Sequence, residues 1–180
     1  MAELTPKERL QPSLLDRLTD DEPDQKVEAR ERRVLSTERL RESVRRDLSW
    51  LFNTPNLASV VDLTEYPEVE RSTVNYGLPD LSGRATSNIE PADFERLIRK
   101  AILDFEPRLL KNSIKLKLIA DADEMSHNAV RFDIEAELWS KPIPLRLYLR
   151  TELDLETGDV MVAEGSTQGR TSQAPGRAGG

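Results

Sequence analysis

Residues Phe94 to Leu110 read FERLIRKAILDFEPRLL, and the fold follows from how this stretch is parsed. Phe94, Leu97, Ile98, Ala101, Ile102 and Phe105 recur at helical spacing, with Glu95, Arg96, Arg99 and Lys100 on the other side. That is the pattern of a helix laid on a core. Pro91 suits the first helical position, and Pro107 sets the end. A residue before proline is pushed out of the helical region, so the helix stops near Phe105. Glu106 and Arg108 then flank a proline at a fixed corner. They form either a structural ion pair or a docking point for a partner, and the residues alone leave both open.

Beyond the corner the period changes from helical to two. Ile114, Leu116 and Leu118 alternate with Lys115 and Lys117. Val130, Phe132, Ile134, Ala136 and Leu138 alternate with Arg131, Asp133, Glu135, Glu137 and Trp139. Leu145, Leu147, Leu149, Thr151 and Leu153 alternate with Arg146, Tyr148, Arg150 and Glu152. Acids on one strand and arginines on the next predict an antiparallel pairing with matched polar faces. Ser140–Pro144 supplies one connection, Glu156-Thr157-Gly158 a hairpin turn, and Asp159–Ala163 a last short strand. An edge of such a sheet must be covered or used, and Lys115 with Lys117, or the last strand, are candidates for it. From Gly165 onward little remains to bury, so 165–180 is expected to be disordered.

Towards the N-terminus, Leu40, Val44, Leu48 and Leu51 form one helical stripe between Ser36 and Phe52, with Ser36 or Thr37 as cap. Asp47 falls near the middle of that stripe, which calls for an arginine or backbone N–H groups beside it. Ala58–Leu63 is read as a short helix. Ser72–Leu81 is read as a structured loop, with Asn75, Gly77 and Pro79-Asp80 for turning and Val74, Tyr76, Leu78 and Leu81 to bury. Residues 1–35 are polar and broken by prolines, apart from Ser13-Leu14-Leu15-Asp16-Arg17-Leu18. There Leu14, Leu15 and Leu18 share one side of a turn that Ser13 caps. This piece either frays with its leucines touching the core or docks on a partner protein. The whole is an α+β domain: two main helices packed on one face of a small antiparallel sheet of three to four strands.

The 180 residues carry 37% hydrophobic and 33% charged side chains and a formal net charge of −7. That balance disfavours nucleic acid and anionic membrane surfaces as ligands. The lack of cysteine excludes disulfides, thiol catalysis and thiolate metal sites. No run reaches spanning length, so a soluble cytoplasmic protein without direct membrane insertion is expected. His127 is the single histidine and sits in a loop with Asp121, Asp123, Glu124 and Asn128 that lacks the glycine and terminal glutamate of a calcium site. No phosphate-binding loop, nucleophile elbow or metalloprotease helix occurs. Glu106 is the one acid whose placement looks deliberate, and an arginine beside it favours the ionised form, the wrong state for a general acid. No catalytic residue, metal ligand, cofactor or small-molecule substrate is therefore expected.

Four stretches in order, PSLLDRL (Pro12–Leu18), RDLSWLFNT (Arg46–Thr54), STVNYGLPDLSG (Ser72–Gly83) and FEPRL (Phe105–Leu109), resemble the TssE baseplate subunits of bacterial type VI secretion systems. The similarity continues through RFDIEAELW and PLRLYLRTELD and covers roughly residues 10–163. TssE is similar in turn to the small baseplate wedge protein of contractile phage tails, once labelled lysozyme-related. The residues themselves divide the chain into a flexible segment at 1–35 with its short docking piece, a wedge-like α+β domain at 36–164 and a disordered tail at 165–180, onto which the resemblance carries nothing. The resemblance implies a non-enzymatic structural part. It implies a wedge shared with TssF and TssG, initiation of the TssB–TssC sheath, and contact with TssK and the VgrG hub at the inner-membrane-associated baseplate. It carries assembly contacts onto Glu106, Pro107 and Arg108, and Leu14, Leu15 and Leu18 are the further docking residues expected. On this view Arg108→Glu leaves the fold intact and abolishes sheath assembly, unless Arg108 is instead the partner that Asp47 requires. Two alternatives stay open: a muramidase, which needs two carboxylates about 5–10 Å apart in a cleft, and a regulatory adaptor of the kind that blocks a proteolysis adaptor.

Overall fold

The computed structural model describes residues 13–19, 24, 36–80, 90–119, 129–140 and 143–165. The acidic loop with His127, the Lys141-Pro142 turn, Leu81, and the expectations for 1–12, 25–35 and 166–180 lie outside the described residues. Four helices are present among them: α1 (Leu14–Leu18), α2 (Thr37–Phe52), α3 (Pro67–Glu70) and α4 (Pro91–Phe105). They are followed by strands β1 (Lys115–Ile119), β2 (Ala129–Leu138), β3 (Leu145–Asp154) and β4 (Val160–Glu164) in one antiparallel sheet of order β1-β2-β3-β4. This is the α+β architecture expected, with the last strand starting one residue later than predicted. The helix read at Ala58–Leu63 is instead a single 3₁₀ turn, Leu57–Ser59, capped by the Asn56 side chain.

The helices start and stop where their local chemistry demands. Ser36 accepts a hydrogen bond from the Arg39 N–H at 3.2 Å, filling one orphan donor of α2. Pro91 opens α4, and Pro107 forces Glu106 out of helical geometry at φ −119°, ψ 80°. The inward residues of β2 and β3 alternate as the period predicted, and Ile134, Leu138, Leu149 and Thr151 are fully buried. α2 lies against β3 and β4, and α4 against β1. Phe132 fills the space between them, with the Phe94 ring 5.2 Å away and the Phe52 ring 6.2 Å away, both edge-to-face.

The opposite face of the sheet is a charge mosaic in register. Asp133 lies opposite Arg150, Arg131 opposite Glu152, and Glu137 opposite Arg146. Such pairs add little stability each but reward one register over its neighbours.

The loop after α2 is stapled back onto it. Leu78 donates its N–H to the Thr54 carbonyl at 2.8 Å and accepts from the Asn56 N–H at 2.9 Å. Gly77 sits there with φ 121°, and a Cβ on it would fall 2.1 Å from the Thr54 carbonyl oxygen. Asn75, buried, accepts from the Ala58 N–H at 2.9 Å and donates to the Glu70 carbonyl at 2.8 Å. These bonds aim Tyr76 at the end of α4, where its ring meets Phe105 at 5.3 Å.

Candidate protein-docking site

The corner at Glu106-Pro107-Arg108 is fixed from three directions. The Arg108 carbonyl accepts from the Trp139 N–H at 2.8 Å, and the Leu110 N–H donates to the Glu137 carbonyl at 2.8 Å, so the segment continues the pairing of β2 beyond β1. The Glu106 N–H closes the last turn of α4 on Ile102. The Arg108 side chain then reaches across to α2.

Glu106 is only 4% exposed. A buried carboxylate is costly unless it is bonded and paired, and Arg108 does both. Its Nε donates to Glu106 Oε1 at 2.7 Å, its backbone N–H to the same oxygen at 3.0 Å, and its Nη2 to Oε2. The same Nη2 donates to Asp47 Oδ2 at 2.6 Å, and Nη1 to Ser43 Oγ at 3.1 Å. Burial opposes the charge on Arg108, but Glu106 and Asp47 outweigh it and hold the guanidinium more firmly protonated than usual. The predicted need of Asp47 for an arginine is thus met by Arg108, and by Arg46 at 2.8 Å as well. Glu106 and Arg108, for which the sequence leaves a structural ion pair and a docking point both open, form an ion pair that also ties α4 to α2 through Asp47. A glutamate at position 108 would face Glu106 and Asp47, so the expectation of an intact fold in Arg108→Glu is withdrawn.

The network runs on to α1. Asp16 accepts from Ser43 Oγ at 2.8 Å and from Arg46 Nη1 at 2.7 Å. Ser13 and Asp16 close a capping box on α1. Burial pushes the Asp16 carboxyl up, but hydrogen bonds from Ser13, Arg46 and Ser43 bring it down to about 2. Glu106, Arg108, Asp47, Arg46 and Asp16 therefore alternate in sign from the end of α4 across α2 to α1.

This anchoring decides how α1 faces. The helix is held by its polar side and none of its residues is buried. Leu14 is 69% and Leu18 74% exposed and neither rests on the core, while Leu15, 44% exposed, is partly covered beside Leu48 and Leu51. Beside α1 an open groove of about 430 Å³ runs between Leu15, Trp50, Tyr76, Phe105 and Pro107, with Asp47, Glu106 and Arg108 also lining it. Arg46 stacks over the Trp50 ring at 5.0 Å and fixes that wall. The burial of the Tyr76 phenol, with the Asp47 and Glu106 charges near it, pushes its pKa up, and it donates to the Asp47 carbonyl at 3.3 Å.

Of the six residues expected at an interaction site, Leu15, Glu106, Pro107 and Arg108 line the groove, and Leu14 and Leu18 are exposed on α1. Sequence reasoning missed Ser43, Arg46, Trp50 and Tyr76 as members and Asp16 as the anchor. Two signals were present: the Ser13-x-x-Asp16 box, and Ser43 placed four residues before Asp47 on one helical face. Among the described residues no cluster of three or more potential metal ligands occurs, and no helix is long and apolar enough to cross a membrane.

No curated protein and no solved structure matches the chain. The model of the family described as baseplate wedge protein gp25 matches residues 38–143, more than half of its length, from the start of α2 through the corner and β2 to the β2–β3 turn. The chain belongs to the baseplate wedge protein gp25 family, the structural baseplate components of phage-tail-like assemblies among which the TssE subunits fall.

Proposed function

We propose that this protein is the TssE-type wedge subunit of a type VI secretion baseplate. In this reading it binds TssF and TssG through α1 and the neighbouring groove and starts the TssB–TssC sheath by sharing its sheet. TssK and the VgrG hub are its more distant neighbours, at a baseplate on the cytoplasmic side of the inner membrane. The observation that carries the reading is the outward leucine face of α1: a helix fastened by Asp16 while Leu14 and Leu18 stay 69% and 74% exposed. Apolar side chains displayed by a polar anchor are spent on a partner rather than on the core. The Glu106-Pro107-Arg108 corner acts as the rigid floor that keeps groove and helix in place.

The role is non-catalytic. Asp47 and Glu106, the acids of the groove, are both engaged by Arg108, which leaves no free acid there for glycoside cleavage. Peptidoglycan clearing by the purified chain in a zymogram would overturn this part. For the docking reading, Leu14→Ser/Leu18→Ser is expected to keep the far-ultraviolet spectrum and melting temperature while losing co-purification with TssF and TssG. Retained co-purification by the folded double variant would contradict it.

A further inference from the structure

The block between Leu57 and Asn75 is built the wrong way round for a loop that serves only its own fold. Its hub is polar. Asn75 is buried and ties the Ala58 N–H to the Glu70 carbonyl, so it joins the 3₁₀ turn Leu57–Ser59 to α3. Val74 beside it is 67% exposed, Val60 is 82% exposed, and Val61 and Tyr66 are exposed as well. Further polar bonds pin the block. Asn56 Oδ1 accepts from the Ser59 N–H at 3.1 Å, Asp62 Oδ1 from the Thr64 N–H at 3.0 Å, and the Leu63 carbonyl from the Tyr66 N–H at 2.8 Å. Ser72 caps a second 3₁₀ turn, Thr73–Asn75, and Ser59 Oγ accepts from the Asp80 N–H at 3.2 Å.

Exposed apolar residues scattered singly are ordinary on a protein surface. Here four of them ride on one pinned block whose polar residues hold it in shape. Val60, Val61, Tyr66 and Val74 bury little within the chain, so their apolar area is left for something outside it. The pinning matters for binding too, because a surface already fixed loses little freedom when a partner settles on it.

The charge around these side chains selects the partner. From Leu57 to Glu70 the chain has Asp62, Glu65, Glu68 and Glu70 and no lysine or arginine, and Arg71 is the first cation after them. Lys100 takes Glu70 at 3.1 Å. Asp62, Glu65 and Glu68 are exposed, and among the described residues no cation pairs with them. A second copy of the chain would set acid against acid at a net charge of −7 each. Lysine or arginine on the incoming surface meets the same acids favourably.

We infer that this block is a second docking surface, separate from α1 and its groove, for a partner segment that presents apolar side chains flanked by lysine or arginine. None of its four exposed apolar residues lines the groove. The inference does not depend on the wedge reading, since it names the partner by its chemistry alone.

The test uses the isotope-labelled full chain and two capped amphipathic peptides with the same leucine stripe, one flanked by lysines and one by glutamates. The amide resonances of Val60, Val61, Tyr66 and Val74 are expected to shift with the lysine peptide and to stay in place with the glutamate peptide. Val60→Ser/Val74→Ser is expected to weaken binding about tenfold at unchanged melting temperature. Glu65→Gln/Glu68→Gln is expected to weaken it and to flatten its dependence on salt. Leu14→Ser/Leu18→Ser is expected to leave it as it is. No shift at these amides, equal shifts from both peptides, or shifts confined to Leu14–Leu18 and Trp50 would each overturn the assignment. So would full binding by the folded Val60→Ser/Val74→Ser variant, or its loss in Leu14→Ser/Leu18→Ser.

Discussion

Arg108 Nη2 lies 2.6 Å from Asp47 Oδ2, which ties the corner after α4 to the middle of α2 across 61 residues of chain. With Glu106 on its other side, the arginine is both the counter-charge of a buried acid and part of the groove wall. A motif can thus be conspicuous in sequence because it ties two helices together and walls a groove, without being the most exposed part of it.

Removing the arginine should show this directly. Arg108→Ala leaves Glu106 buried without a counter-charge and is expected to lower unfolding free energy by about 2–3 kcal/mol, below the full value for a buried pair because the guanidinium is partly exposed. Urea denaturation measures it. Arg108→Glu should be worse, and Arg108→Lys should recover part of the loss while missing the forked geometry.

The α1 attachment carries its own pH signature. Asp16 titrates near 2 when docked, below the ordinary carboxyl value of 3.8, so docking favours its ionised form. The stabilisation is complete above about pH 4 and is lost as pH falls through about 2. Hydrogen exchange of the α1 amides should rise across that interval. In Asp16→Asn the amides should exchange fast already at neutral pH, with no further step on acidification.

Thr151 sits fully buried on the inner face of β3, and among the described residues its Oγ1 has no hydrogen-bond partner. A hydroxyl stranded in the core costs stability, and valine fills nearly the same volume without it. Thr151→Val is expected to raise unfolding free energy by about 1 kcal/mol, read from thermal or urea melts.

Local rules carried most of the fold. The alternation of Val130–Leu138 and Leu145–Leu153 placed both long strands, their antiparallel pairing followed from acids on one and arginines on the next, and Pro107 marked the end of α4. What escaped were the ties between distant segments. Asn53 reads as a turn residue after a helix, yet its amide meets the backbone of Val160, 107 positions on. Asp16 reads as part of a cap, and only the fold brings Ser43 to the Oδ2 that Ser13 also bonds and Arg46 to Oδ1. The leucines of α1 announce an apolar face in sequence, but which way that face points depends on those polar bonds.

The central claim is that α1 and the adjoining groove form the surface that joins this protein to its wedge. Mixing the full chain with a purified TssF–TssG complex, isolating the product by size exclusion and mapping it by hydrogen exchange tests that claim most directly. The account predicts a stable complex in which Leu14–Leu18 and the segments around Trp50 and Tyr76 become protected. A folded chain that fails to bind, or a complex that leaves these segments exchanging as in the free protein, would contradict it.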